Sequence, residues 1–341
     1  MLRRISFVSF LFAFSSFVFA NSSLTQAPST RHFTFEYSFT VRVTDPGKPL
    51  EIWFPMAHSD RYQQVKILSK HSDLPLRETS DPEYGNRMFY AHTVRADKPE
   101  YHFSVTYDVL RLEHLADTSL NSTAPEKELN RFLQPDQLVP ITGKPAEIAA
   151  AQVKPGMSDM EKARALYEYT FNNMRYDKTG TGWGHGDAVW ACDSHHGNCT
   201  DFHSLFIAMA RSQHIPARFE IGFAVPENKT ASDVAGYHCW AEFYTRERGW
   251  FPVDISEAWQ QKKKEYFFGA NDVNRIQFTV GRDLELNPKQ HGTRLNYFIY
   301  PYAELNGEEY PNVAIKFSFT DVGQSAATRA SRKAEAMRSA R

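Results

Sequence analysis

The stretch Gly197-Asn198-Cys199-Thr200-Asp201-Phe202 decides how the rest of the chain is placed, because it predicts a tight turn followed at once by a helix. Asparagine is a favoured N-cap, since its side-chain oxygen accepts a hydrogen bond from an unpaired N–H of the first helical turn. Cys199 is then the first residue of the helix. The partial positive charge at a helix N-terminus favours a thiolate and can stabilise an oxyanion beside it.

Apolar residues follow the cysteine at helical spacing. The stripe consists of Phe202, Leu205, Phe206, Met209 and Ala210. This spacing is typical of a helix that packs on a core. Cys199 is therefore expected on a rigid, buried support. Two interpretations follow: a catalytic nucleophile, or a core cysteine, which is among the most often buried residue types.

Residues 1–20 predict a secretory signal peptide. A short basic segment, 1–4, precedes an apolar run, 5–19, and the small residue Ala20 marks the expected cleavage site. The run is short for a transmembrane helix and contains four serines. We expect an exported protein, periplasmic or secreted, with no membrane span once the signal is removed.

Composition limits the classes of partner. The 341 residues carry a formal net charge of −1, so nucleic acid is not an expected partner. The length suffices for two domains. The three cysteines are too few for a disulfide scaffold. Cys192 and Cys239 could pair with each other, and Cys199 would then remain free. No cofactor is expected.

Residues 31–115 predict an antiparallel β-sandwich domain. Aromatic and β-branched residues alternate with polar ones in five segments, which are 33–37, 41–43, 50–54, 88–90 and 101–112. Turn signals, such as the Asp-Pro-Gly at 45–47, separate these segments. We expect this domain to act in packing or spacing rather than in chemistry.

A linker is predicted over 116–157, with a short helical piece at 126–132, and a second domain over 158–322. Ser158 and Glu161 form a capping box that opens a helix ending near residue 174. The glycine-rich loop 176–196, which contains Trp183 and Trp190, is expected either to border a cleft or to cover the surface.

Two predicted strands bring a histidine and an aspartate together. Alternation over 236–244 places His238 and Trp240 on a polar face, and Cys239 on the apolar face with a structural role. The next strand, 250–255, directs Asp254 outward. Across a short hairpin turn, the Cα atoms of His238 and Asp254 would lie within about 8 Å.

These residues predict a nucleophile, a base and an orienting carboxylate. Cys199 is the expected nucleophile, His238 the base and Asp254 the group that holds the imidazole. The alternative is a zinc site, for which the candidate ligands are His185, His195, Cys199, Asp201 and His203. Their spacing matches no recognised ligand pattern.

The order of three motifs resembles the transglutaminase-like superfamily of papain-like cysteine enzymes. The motifs are Gly-Asn-Cys-Thr-Asp-Phe, Tyr-His-Cys-Trp-Ala-Glu and Trp-Phe-Pro-Val-Asp, and the likeness covers about residues 158–254. It implies an α+β fold, with a papain-like/transglutaminase-like core after the N-terminal β-sandwich. It also implies the Cys-His-Asp triad named above.

The resemblance further implies acyl transfer from a peptide or protein amide. Hydrolysis by an amidase or peptidase is the expected outcome, and amine transfer or a non-catalytic peptide-binding module are the alternatives. The N–H of Cys199 would be one oxyanion donor, and the candidates for a second donor or for the cleft are Trp190, Trp183 and Trp240. No calcium loop of the D-x-[DN]-x-[DN]-G kind is found, so no metal is implied.

The C-terminal part returns to strands, predicted at 275–280, 294–300 and 313–319. We expect a sheet extension that finishes the second domain. Residues 323–341 are rich in Ala, Ser, Arg and Lys and predict a disordered basic tail. The oligomeric state is left open.

Overall fold

The computed structural model describes residues 28–116 and 124–323. The predicted signal peptide, 1–20, and all but the first residue of the predicted tail, 323–341, lie outside the described residues. Helices are combined with mainly antiparallel sheets, which confirms the predicted α+β class. Among the described helices, none has the length and apolar character that crossing a membrane requires.

Seven strands come first in the chain, and their alternating side chains point to opposite faces as the sequence predicts. They are β1 (Thr30–Arg42), β2 (Leu50–Pro55), β3 (Gln63–Ser72), β4 (Leu76–Ser80), β5 (Arg87–Thr93), β6 (Glu100–Leu112) and β7 (His114–Leu115). Strands β3 and β4 were not predicted, because mostly polar, solvent-facing side chains hide their alternation.

The rest of the chain mixes helices with shorter strands. The helices are α1 (Glu126–Arg131), α2 (Lys144–Gln152), α3 (Asp159–Asn173), α4 (Ala188–Ser194), α5 (Cys199–Ser212) and α6 (Ile255–Gln261). The strands are β8 (Arg175–Tyr176), β9 (His196–Gly197), β10 (Ala217–Ala224), β11 (Ala231–Val234), β12 (Tyr237–Thr245), β13 (Gly249–Val253), β14 (Ala270–Asn271), β15 (Arg275–Val280), β16 (Tyr302–Leu305), β17 (Glu308–Glu309) and β18 (Val313–Asp321).

Two five-stranded sheets form the β-sandwich. One has the order β11-β18-β1-β6-β3 and the other has the order β17-β16-β2-β5-β4. Their inner faces meet through aromatic rings. The Phe54 ring on β2 lies 6.2 Å from the Tyr37 ring and 5.0 Å from the Phe39 ring, both on β1. The predicted sandwich is therefore present.

The predicted domain division needs a correction, because the sandwich is not built from the N-terminal segment alone. β18 pairs along the length of β1, from Phe33 opposite Asp321 to Val41 opposite Val313. β16 pairs with β2. Strands β16, β17 and β18 therefore complete the sandwich instead of extending the second domain, whereas β15, at the predicted position 275–280, pairs with β10 of the second domain. Alternation shows which face of a strand is buried, but it does not identify the partner strand.

The predicted strand 294–300 is also wrong. Within this segment the backbone forms only an isolated bridge between Leu295 and Leu284. The Asn296 carbonyl accepts a hydrogen bond from Arg282 Nε at 2.9 Å, so a side chain replaces the partner that a neighbouring strand would supply. Two of the aromatic residues that suggested a strand, Tyr297 and Tyr300, pack instead onto Tyr237 at the start of β12.

The second part of the fold is a four-stranded sheet, β13-β12-β10-β15, with α5 packed against β10 and β12. Every residue of α5 from Cys199 to Arg211 is buried, so this helix is the centre of the core. Helices α2 and α3 also pack on α5. Because α2 lies within 116–157, the predicted linker is wrong for that helix, which belongs to the packed core.

Replacement of Phe317 by alanine tests how much the packing of β18 between the sandwich and the four-stranded sheet contributes to stability. The Phe317 ring lies 4.8 Å from the Tyr37 ring in the sandwich and 4.4 Å from the Phe223 ring on β10. Loss of this buried ring should lower the free energy of unfolding by about 3–5 kcal/mol in a chemical denaturation series.

The matched control is Lys316→Ala, which removes an exposed side chain from the adjacent position of β18. It should change the free energy of unfolding by less than about 0.5 kcal/mol. Equal effects of the two substitutions would contradict the assignment of β18 to the core.

Candidate active site

Cys199 is the first residue of α5, as predicted, and the turn before it is capped twice. Asn198 Oδ1 accepts from the Thr200 N–H at 2.9 Å, and Asp201 Oδ2 accepts from the Asn198 N–H at 2.9 Å. The two bonds form a reciprocal capping box that fixes the first turn. Cys199 itself is only 2% exposed, so this turn holds it almost completely buried.

Asp201 also holds the glycine-rich loop against this turn, a role that the sequence analysis missed. Its two carboxylate oxygens accept from the N–H groups of Gly184 at 2.7 Å and Gly186 at 3.0 Å. Gly186 has a φ of +64°, and a Cβ there would lie 2.6 Å from Ser204 Oγ. Only glycine allows the loop to approach α5 this closely.

His238 lies on β12 and is oriented by Asp254. His238 Nε2 is 2.7 Å from Asp254 Oδ2, and both side chains are buried. The other ring nitrogen, Nδ1, is the one left to face the cysteine. The hydrogen bond to Asp254 fixes the ring orientation and stabilises its protonated form.

The predicted strand 250–255 would contain Asp254, but the strand ends earlier and Asp254 is the N-cap of α6. Strand β13 ends at Val253, and Asp254 Oδ1 accepts from the Glu257 N–H at 3.0 Å. An aspartate followed three residues later by a glutamate is a recognisable helix-start signal. The carboxylate that faces His238 is thus held by the start of a helix.

Arg275 on β15 is a further residue of the site that sequence reasoning missed. Its Nη1 donates to Asp254 Oδ2 at 3.0 Å, and it is almost fully buried. Burial by itself would raise the pKa of Asp254, but the charges of His238 and Arg275 hold it well below its usual value. Asp254 is therefore a permanent anion beneath the imidazole.

The pKa of the Cys199 thiol is set by its burial and by the neighbouring side chains of Cys239 and His238. Burial by itself would raise the pKa of Cys199, but its interactions with Cys239 and with the positive charge of His238 bring it well below its ordinary value. Burial also acts against a charged His238, but Asp254 and Cys199 raise the pKa of His238 well above its ordinary value. The two groups therefore favour a thiolate–imidazolium pair.

His203 lies beneath this pair and is fully engaged. Its Nδ1 is 2.8 Å from the Cys199 carbonyl oxygen, and its Nε2 accepts from the Ile255 N–H at 3.0 Å. Since Nδ1 must donate to a carbonyl while Nε2 accepts from an amide, the ring is neutral. Burial also lowers the pKa of His203, which favours the same neutral form. This histidine joins the start of α5 to the start of α6.

The proposed zinc ligands do not converge. Within residues 28–116 and 124–323, the His, Cys, Asp and Glu side chains close enough to share a metal are those of Glu51, His291 and Glu304, in the sandwich. Both ring nitrogens of His203 and both oxygens of Asp201 are committed to backbone groups of the fold. This geometry does not support the zinc alternative.

The possible pairing of Cys192 with Cys239 is also not found. All three cysteines are free thiols. Cys239 lies close to the first turn of α5, where its Sγ is 3.8 Å from Thr200 Oγ1. Cys192 lies apart from them, in α4.

Two of the three tryptophan candidates donate their indole N–H to groups outside the proposed oxyanion site. Trp240 is fully buried and donates to Glu220 Oε2 at 2.6 Å, so it does not line a cleft. Trp183 donates to the Gly180 carbonyl at 3.2 Å within its own loop. Trp190 packs against Gly182, where a Cβ would come within 2.6 Å of its Nε1. The role of Trp190 as a second oxyanion donor therefore stays a prediction.

Three tyrosines that were not predicted as site residues lie at the capped start of α5. The Tyr237 hydroxyl accepts from Asn198 Nδ2 at 3.0 Å and is 2.7 Å from Thr200 Oγ1. The rings of Tyr297 and Tyr300 lie 5.4 and 5.9 Å from that of Tyr237. Tyr237 thus ties the cap of α5 to the strand that carries His238.

Comparison with known proteins agrees with this geometry. Residues 146–255 match the family model of the transglutaminase-like superfamily, and this interval contains Cys199, His238 and Asp254. The resemblance found in the sequence is thereby confirmed for this part of the chain. The interval also includes most of α2, in line with the corrected domain division.

Two relatives match most of the chain. An uncharacterised protein of Haemophilus influenzae is 25% identical over 90% of this chain and 95% of its own length. A crystal structure from Cytophaga hutchinsonii, described as a "putative cysteine protease", is 18% identical with a TM-score of 0.57. It covers 87% of this chain and 92% of its own, which shows that the fold is shared over both parts of the molecule.

The pH dependence of alkylation tests the interaction between Cys199 and His238. Because the pKa of Cys199 is lowered and that of His238 is raised, we expect the thiolate–imidazolium pair at pH 6. An ordinary thiol of pKa near 8.5 would be less than about 1% ionised at this pH. Iodoacetamide should therefore label Cys199 about a hundredfold faster than it labels Cys199 in His238→Ala. The rate would be followed by peptide mass spectrometry.

The control is His92→Ala, which removes an exposed histidine from β5 and should leave the labelling profile unchanged. If the profile of His238→Ala coincided with that of the unmodified protein, His238 would not be the group that ionises the thiol.

Proposed function

We propose that this chain is a cysteine enzyme that takes an acyl group from an amide or peptide bond onto Cys199 and passes it to water. The observation that carries the proposal is the buried His238–Asp254 hydrogen bond of 2.7 Å beside the Cys199 thiol. A nucleophile, a base and an orienting carboxylate in contact are the usual composition of an acyl-transfer site. The match of residues 146–255 to the transglutaminase-like family model supports the same proposal.

The proposed reaction has two steps. In the first, the Cys199 thiolate attacks the carbonyl carbon, and the imidazolium of His238 gives its proton to the leaving amine. In the second, neutral His238 takes a proton from water, which attacks the thioester and releases the acid and the thiolate. The N–H of Cys199 at the start of α5 has no helical acceptor and can donate to the oxyanion.

Hydrolysis is favoured over amine transfer, because water is always present whereas an amine acceptor has to be bound. Cys199 is 2% exposed and His238 is 6% exposed, which favours a slender acyl donor such as an extended peptide or a carboxamide side chain. Cross-linking of a glutamine to an amine stays the second candidate, and it would use the same thioester.

We also propose that the enzyme acts outside the cytoplasm, in the periplasm or as a secreted protein. This part of the proposal rests on the residue pattern of 1–20 alone. A fusion of residues 1–25 to a reporter that is active only after export would test it.

The direct test of the chemistry is acyl-enzyme formation with p-nitrophenyl acetate. A burst of nitrophenol should accompany one acetyl group, which peptide mass spectrometry should locate on Cys199. Cys199→Ala should give no burst, and His238→Ala should slow acylation by about 10²–10⁴-fold. Cys192→Ala, which changes a thiol in α4, should acylate normally.

Glutamine-containing peptides would then separate the two fates of the thioester. Release of ammonia without incorporation of an added primary amine would support hydrolysis, and incorporation of the amine would support transfer. Acetylation distributed over other residues, with no dependence on Cys199, would contradict the enzyme and favour the non-catalytic peptide-binding module.

A further inference from the structure

We propose that Glu51, His291 and Glu304 form a binding site for a divalent transition metal ion, with zinc as the expected occupant. The three side chains belong to the sandwich and to the segment that covers it, and the ion would fasten that segment to the sheet. Sequence reasoning did not identify this site, because Glu51 is distant in the chain from the other two residues. The inference does not depend on the proposed function.

Two neighbouring strands place carboxylates side by side. Glu51 on β2 and Glu304 on β16 are directly opposite each other in the antiparallel pair. Ile52 and Ala303, which follow Glu51 and precede Glu304, lie in the main core, so the two glutamates face the other side of the sheet. Glu309 on β17 lies opposite Glu304 as well. Like charges in opposed positions are destabilising, and a cation between them would remove the repulsion.

His291 approaches both carboxylates from the segment 281–301, which connects β15 with β16. Its Nδ1 lies 2.8 Å from Glu304 Oε2 and 3.6 Å from Glu51 Oε2, and its N–H donates to Glu304 Oε2 at 3.1 Å. The three ligand atoms are within 4.8 Å of one another. Tetrahedral zinc, with bonds of about 2.1 Å, places its ligand atoms about 3.4 Å apart. Small side-chain rotations would therefore bring all three atoms to one ion.

Glu304 is a buried carboxylate that lacks a basic partner of the usual kind. Its side chain is fully buried. Within the part of the chain that the structure describes, neither Glu304 nor Glu51 forms an ion pair with an arginine or lysine. The buried Asp254, in contrast, is paired with Arg275. Since a buried charge is costly unless it is paired, a divalent ion would supply the positive charge that is needed here.

Tyrosines orient both glutamates so that one oxygen of each is directed to the proposed ion. The Tyr302 hydroxyl and the Gly292 N–H donate to Glu304 Oε1 at 3.0 and 2.9 Å. The Tyr90 hydroxyl donates to Glu51 Oε1 at 2.6 Å. In each glutamate, Oε2 is the oxygen that faces His291. Hydrogen bonds to the second oxygen of a ligating carboxylate are a common support of metal sites.

The donor set and its exposure select the kind of ion. One imidazole nitrogen and two carboxylate oxygens suit zinc, whereas Ca²⁺ and Mg²⁺ prefer oxygen ligands alone. The His291 side chain is 62% exposed, so an ion can enter from solvent. Water can then occupy the fourth position of the tetrahedron.

The segment 281–301 also contacts the candidate active site, at its beginning. Arg282 Nη1 donates to Ser204 Oγ on α5 at 2.6 Å, and Arg282 Nη2 donates to the Gly186 carbonyl at 3.2 Å. An ion at His291 would therefore hold the middle of a segment whose first residues support the glycine-rich loop. Because the unfolded chain does not bring the three ligands together, the ion should raise Tm.

The test uses tag-free protein without residues 1–20, stripped with EDTA and then exchanged into buffer with a small excess of zinc. Cys199→Ala is used throughout, because a thiolate can itself bind zinc. After gel filtration, one zinc ion per chain should remain, as measured by inductively coupled plasma mass spectrometry. The Tm of the stripped protein should rise with the zinc concentration.

Variants then locate the ion. His291→Ala removes an exposed side chain, so it should fold normally but lose both the retained zinc and the zinc-dependent rise in Tm. Glu304→Gln should lose the zinc as well. The matched control is His102→Ala, which removes an exposed histidine that lies 3.6 Å from Glu100 in the other sheet. This control should retain one zinc ion per chain.

Two outcomes would overturn the inference: no zinc retained by the protein, or equal retention by His291→Ala. The second outcome would place the ion elsewhere in the chain. Because the readouts are metal content and Tm, they do not depend on acyl transfer. Zinc bound through His291 in a protein that forms no acyl-enzyme would support the inference while removing the proposed function.

Discussion

The site depends on one buried carboxylate, Asp254, which is fully removed from solvent. A charge in such a position is costly unless it is paired and hydrogen-bonded. Asp254 has His238 at 2.7 Å and Arg275 at 3.0 Å on one oxygen, and Ser256 and the Glu257 N–H on the other. These donors lower the pKa of the Asp254 carboxyl group, and the negative charge of Asp254 in turn raises the pKa of His238 next to Cys199.

The sandwich contributes to the site by supporting the strand that carries Arg275. Gln63 on β3 accepts from the Gln277 N–H at 2.9 Å and donates to the Gln277 carbonyl at 3.0 Å. Arg275 also lies 4.8 Å above the Trp240 ring, whose N–H is bonded to Glu220. The sandwich therefore supports β15 from outside while Trp240 supports Arg275 from within, which gives the packing role predicted for the sandwich a physical basis.

The sequence predicted the parts of the site whose signals are local. Asn198 and the stripe after Cys199 mark a helix start, and alternation marks the strand of His238. Arg275 and the loop-holding role of Asp201 were missed because charged residues usually lie on the surface, and the burial of these two follows from contacts with other segments of the chain. The pairing of β18 with β1 was missed for a related reason, since it joins segments at opposite ends of the described chain.

The central claim is that Asp254 and Cys199 keep His238 protonated at neutral pH. Nitrogen-15 NMR of histidine-labelled protein measures this directly, with the His238 signals assigned by their loss in His238→Gln. The account predicts that both ring nitrogens of His238 carry protons at pH 7.5, and that Cys199→Ala lowers the pKa at which one proton leaves. A His238 ring that is neutral at pH 7.5, or that titrates near the ordinary value of about 6.5, would contradict the account.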